Sequence, residues 1–111
     1  MDISATLNPA GLVVRVNEPR IDAAVAIEFK EAVRAAAEAP GSPVILDLSQ
    51  VNFLDSSGLG AVVAVMKLLG PDRPLQLAAL TPPVAKVFRL TRMDSIFTIH
   101  DTTPETLRAA G

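Results

Sequence analysis

The stretch VILDLSQVNFLDSSGLGAVVAVMKLLG, residues 44–70, changes its hydrophobic period midway, and that change decides the fold. Val44, Ile45, Leu46 and Leu48 form a nearly continuous apolar run, the pattern of a central strand covered on both faces. Residues 51–54 lead into DSSG, after which helical spacing takes over at Leu59, Val62, Val63, Met66 and Leu69. Gly70 and Pro71 close that helix. A strand, a polar turn and a helix in direct succession put Asp55, Ser56 and Ser57 at the helix start, where several backbone N–H groups lack intrahelical partners.

On the N-terminal side, residues 2–8 alternate loosely around Ile3, Ala5 and Leu7, and residues 12–16 alternate as Leu12, Val14 and Val16. With Asn8, Pro9 and Gly11 between them, they predict an antiparallel hairpin. Asp22 is the expected N-cap of a helix whose apolar face is Val25, Phe29, Ala32, Val33 and Ala36, and which ends before Pro40 and Gly41. On the C-terminal side, Leu75, Leu77 and Ala79 alternate as a strand. Thr81 and Pro82 read as the N-cap and first turn of a helix with Val84, Val87, Phe88 and Thr91 on one face. A strand over 96–99 and a short terminal helix capped near Thr103 complete the pattern. The expected order is ββαβαβαβα, an α/β fold with a mixed β-sheet and helices. Right-handed crossovers make strands 44–48, 75–79 and 96–99 parallel.

The 111 residues suit one domain, 1–111, because a second core would leave each half too small. Half of the residues are hydrophobic but only 4% are aromatic, so the core rests on Val, Leu, Ile and Ala. The absence of cysteine removes disulfides and thiol chemistry and suits a reducing compartment. The longest unbroken apolar stretch, residues 61–66, is far below the roughly 20 residues that span a bilayer, and the first residues carry no basic leader. A cytoplasmic protein without membrane insertion is expected. A net charge of −2 with interspersed signs offers no footprint for nucleic acid. No metal or cofactor is expected, since the single histidine, His100, has no ligand cluster around it and is expected solvated at a strand end. Neither GxxxxGK[ST] nor GxGxxG occurs, and the serines have no evident base, so no enzyme is expected.

Asp55 or Ser56 could be no more than a helix cap. Two features argue for more. Gly58 and Gly60 lie in the first turns of the helix, where each costs roughly 1 kcal/mol against alanine. Either tight packing of the helix on the sheet or close approach by another protein's backbone could offset that cost. The helix also carries a second apolar stripe, Ala61, Ala64, Val65 and Leu68, with Lys67 as its only charge. A neighbouring helix covers that stripe, or it is a patch for a partner.

The block VILDLSQVNFLDSSGLGAVV, residues 44–63, followed by LAALTPPVAKVFRLTRMDSIFTIHDT, residues 77–102, resembles a STAS domain of the anti-sigma factor antagonist type. The resemblance implies a partner switch that regulates transcription indirectly. Unphosphorylated, it would bind an anti-sigma factor with serine kinase activity; phosphorylated at Ser56, it would release it, and a serine phosphatase would reverse the change. Asp22 matches the acidic position near the phosphorylated serine. Asp22, Asp55, Ser57, Gly58, Leu59, Gly60 and Val65 are the implied partner-binding residues, on a monomer or weak dimer. The alternative within the same resemblance is a STAS docking subunit of a lipid or anion transporter complex, a sensory array or a biofilm regulator. Two positions depart from the pattern: residues 17–22 read NEPRID where a glycine-containing turn is common, and Arg92 stands where glycine often follows a helix.

Overall fold

The two-residue turn Pro9–Ala10 joins the first strands, and the Asn8 side chain accepts the Ala10 N–H at 2.9 Å to hold it. In the computed structural model, which describes residues 1–104, β1 (Ile3–Asn8) and β2 (Gly11–Val16) pair antiparallel from Ile3↔Val16 to Asn8↔Gly11. A short β3 (Arg20–Ile21) leads to α1 (Ala26–Ala36), then β4 (Val44–Asp47), β5 (Phe53–Leu54) and α2 (Ser56–Leu69). The chain continues through β6 (Leu75–Ala78), α3 (Pro82–Leu90), a 3₁₀ turn (Met93–Ser95) and β7 (Ile99–His100).

The main sheet has five strands in the order β1-β2-β4-β6-β7, and β2, β4, β6 and β7 run parallel as the crossovers require. Leu12, Val14, Val16, Val44, Leu46, Leu48, Leu75 and Leu77 face the helices, which contribute Phe29 and Val33, Leu59, Val62 and Val65, and Val84 and Phe88. The alternate residues Val13, Ile45 and Ala78 form a small apolar stripe on the opposite face. β4 is therefore buried on both sides, as its unbroken apolar run predicts. Phe29 and Phe88 are fully buried, each contributing about 1.5–3 kcal/mol. The Phe88 ring meets Phe97 edge-on, with centroids 5.9 Å apart, which pins the chain after α3 to the core.

Several expectations are corrected. α1 begins at Ala26, not directly after Asp22, and its N-cap Val25 supplies no side-chain bond. The Asp22 carboxylate instead accepts the Ala24 N–H at 3.1 Å, and its carbonyl accepts the Val25 N–H, so Asp22 opens a turn that precedes the helix. Thr81 occupies the N-cap position of α3 but does not cap it, because prolines at 82 and 83 remove the first N–H donors. Its hydroxyl donates to the Val51 carbonyl at 2.6 Å and ties α3 to the segment before β5. The strand expected over 96–99 shrinks to Ile99–His100, since Ile96 follows the 3₁₀ turn in a helical conformation and is half exposed. His100 is not solvated: it is half-buried, with Nε2 2.7 Å from Gln76 Oε1 on the neighbouring strand. The terminal helix expected after Thr103 lies outside the described residues.

Arg92 adopts φ 60°, ψ 17°, the left-handed conformation that its glycine-like position calls for. Its backbone bonds do not need the side chain, as its N–H donates to the Arg89 carbonyl and its carbonyl accepts from Ser95. Arg92→Gly is therefore expected to raise stability by about 0.5–1 kcal/mol, read as a higher urea midpoint at unchanged slope. A lower midpoint would show that the arginine side chain offsets the backbone strain.

Candidate functional site

The chain reaches the DSSG turn through two strands of two residues each, β3 and β5, which pair parallel as Arg20↔Phe53 and Ile21↔Leu54. This small ladder stands apart from the main sheet and forms the shelf on which α2 starts. Gly58 fits α2 to that shelf. A Cβ built on it would lie 2.1 Å from the Ile21 carbonyl oxygen and 2.8 Å from the Leu54 side chain, so only glycine allows the approach. Gly60 is different: nothing stands within 4 Å of where its Cβ would be. Of the two offsets weighed for the glycine pair, packing accounts for Gly58 alone, and Gly60 faces open space.

Asp55 is the N-cap of α2, with Oδ1 accepting the Gly58 N–H at 2.9 Å. Its Oδ2 accepts the Ala23 N–H at 3.2 Å, so one carboxylate ties the helix start to the turn between β3 and α1. Leu59 donates the first intrahelical bond, to the Asp55 carbonyl at 2.9 Å. The N–H groups of Ser56 and Ser57 come before that bond and point out at the positive end of the helix. Both serines are exposed, and among the described residues neither hydroxyl makes a hydrogen bond. The geometry offers two accessible hydroxyls over an anion-tolerant helix end.

Asp22 lies on the same turn, 22% exposed, and its Oδ2 accepts from Arg20 Nε at 2.9 Å. The Arg20 guanidinium also stacks 4.7 Å from the centroid of the half-exposed Phe53 ring. Arg20 and Phe53 were not singled out in the sequence. The signal was present in RID, an arginine two residues from the acid and on its side of an extended segment.

The second stripe of α2 divides. Val65 and Ala61 are buried, Ala64 is half-buried and Leu68 is 55% exposed. Val65, Leu59 and Gly58, named as partner-binding positions, are all buried and offer no surface in this conformation. What remains open is a shallow groove of about 180 Å³ between α1 and α2, bounded by Ile27, Lys30, Ser57, Gly60 and Ala64. Asp22, Asp55, Ser56, Ser57 and Gly60 thus gather at one corner. His100 is not among them: on β7, it is engaged with Gln76 and makes no contact with either serine among the described residues.

The glycines can be told apart by substitution. Gly58→Ala is expected to destabilise by about 1–3 kcal/mol, because backbone must move to admit the methyl group. Gly60→Ala is expected to stabilise by up to about 1 kcal/mol, the ordinary helix preference. Urea unfolding of both variants checks this, and equal destabilisation of the two would contradict the packing described.

The STAS domain sequence pattern matches residues 2–106. The chain is 32% identical over 82 residues to the anti-sigma-B factor antagonist of Listeria monocytogenes, covering 73% of this chain and 72% of that protein. Its structure is similar to the crystal structure of an anti-sigma factor antagonist from Mycobacterium paratuberculosis, with TM-score 0.80 and 28% identity over 97% of this chain and 92% of the other. An anti-sigma factor antagonist STAS domain protein from Planctomyces limnophilus shares the fold, with TM-score 0.78 and 22% identity over 98% and 97% of the two chains. With β3 and β5 forming the shelf for a DSSG-capped helix and the sequence pattern running through nearly all of it, this chain belongs to the STAS domain family.

Proposed function

We propose that this chain is an anti-sigma factor antagonist that works as a phosphorylation-gated partner switch. The observation that carries the reading is the position of Ser56: the first residue of α2, exposed, and with its hydroxyl unengaged among the described residues. The names carried by the Listeria and Mycobacterium relatives support the same role. In the unphosphorylated state the corner of Asp22, Ser56, Ser57 and Gly60, with the adjoining groove, docks on an anti-sigma factor that has serine kinase activity. That kinase transfers the γ-phosphoryl group of ATP to Ser56 Oγ, ADP leaves, and the hydroxyl proton passes to a base of the kinase. A serine phosphatase returns the hydroxyl by hydrolysis.

The phosphate adds close to two negative charges. Its effect within the fold is small, because Asp22 is already paired with Arg20 and both Asp55 oxygens already accept N–H groups. The helix end favours an anion by up to about 1 kcal/mol. At an interface the same charge must lose its water, and that cost breaks the complex. Phosphorylation therefore acts on binding and leaves the fold in place.

The test uses the purified protein with a serine-kinase anti-sigma factor and ATP. Ser56→Ala is expected to bind and never release, and Ser56→Asp to bind at least about tenfold more weakly, both melting near the wild-type temperature. Ser57→Ala is expected to bind normally and still accept phosphate. Phosphate found only on Ser57, or Ser56→Asp binding as tightly as wild type, would sink the assignment.

A further inference from the structure

The two edges of the main sheet are unequal. β7 spans only Ile99–His100, with Asp94 and Asp101 close on either side in sequence, and such short, charge-flanked edges resist pairing with other chains. β1 is six residues long, ISATLN, without charge, proline or bulge, and its register with β2 is unbroken. Among the described residues β1 has one strand neighbour, β2. Ser4, Ala5, Thr6 and Leu7 are all exposed, Leu7 at 58%.

The ladder shows which backbone groups face outward. Asn17 donates to the Asp2 carbonyl at 2.9 Å, so Asp2 and Asn17 are a hydrogen-bonded pair. Bonded pairs recur every second residue, so Asp2, Ser4, Thr6 and Asn8 turn their backbone groups toward β2. The N–H and C=O groups of Ile3, Ala5 and Leu7 therefore point away from the sheet and have no strand partner among the described residues. At one end of this edge the Asn8 side chain donates to the Pro104 carbonyl at 3.0 Å, and the outward groups form a template for another strand.

We infer that this edge is a self-association surface, with β1 of a second copy of the chain pairing antiparallel across a two-fold axis at Ala5. That register uses every outward group: Ile3 faces the second copy's Leu7, Ala5 faces Ala5, and Leu7 faces Ile3. On one side of the seam the pairs are apolar, and on the other Ser4 lies opposite Thr6, a favourable hydroxyl pair. Asp2 falls opposite Asn8, so no like charges meet along the seam. The result is one continuous ten-stranded sheet, twice the five strands of one copy. α2 packs on β5 and β6, away from this edge, so the Ser56 corner of each copy stays outside the seam.

Because Ala5 lies on the axis, charge at this position tests the register directly. By sedimentation velocity from low micromolar to near-millimolar concentration, the wild type is expected to show a concentration-dependent dimer. Ala5→Lys and Ala5→Glu each place like charges about 5 Å apart and are expected to weaken the dimer roughly tenfold or more. An equimolar mixture of the two variants is expected to restore it as a heterodimer, which also shows that both are folded. A wild type that stays monomeric throughout overturns the proposal, as does a dimer insensitive to Ala5→Lys or a mixture that fails to associate. None of these outcomes bears on whether Ser56 is phosphorylated.

Discussion

The start of α2 depends on an atom that is missing. Gly58 sits where a Cβ would press 2.1 Å from the Ile21 carbonyl, so the helix can lie directly on the β3–β5 ladder. That contact fixes how far Asp55 stands from the turn before α1, and with it the bond from the Ala23 N–H. Ser56 and Ser57, the two residues before that contact, are exposed at the start of the helix so seated. The cost of glycine in a helix, about 1 kcal/mol, is small beside the backbone displacement any side chain would force.

The electrostatics of the corner are settled locally. Each acidic group has its partners: Asp22 holds Arg20 and the Ala24 N–H, and Asp55 holds the Gly58 and Ala23 N–H groups. Arg20 is in turn held against Phe53. The carboxylates around Ser56 are therefore engaged before any modification, and a new anion there adds negative charge to the surface without stressing the interior.

Much of this was readable from residue order. The change of period between residues 44–48 and 59–69 located β4, the turn and α2, and the hairpin and parallel crossovers followed from spacing. What was not readable involved residues distant in sequence. Asp22 looks like a helix cap until Arg20 and the Ala24 N–H are seen to take its carboxylate. Whether Val65 and Ala61 meet a neighbouring helix or a partner stays open until α1 is laid beside them. The ladder of β3 and β5 is too short to give any periodicity, and Ile96, apolar but exposed, made the last strand look longer than it is. Gly58 and Gly60 are indistinguishable as letters and opposite in role.

The groove between α1 and α2 is bounded by small or apolar groups with Lys30 as its one cation. A protein seated there gains mainly by removing apolar surface from water, a gain that added salt does not weaken. A phosphate on Ser56 opposes docking through the water it must lose at the contact, a cost that mobile ions outside the contact screen little. In the partner-switching reading, the attraction and the signal that opposes it thus both depend little on ionic strength. The degree of phosphorylation, and not the internal ion content of a cell, would then set how far the switch is turned off.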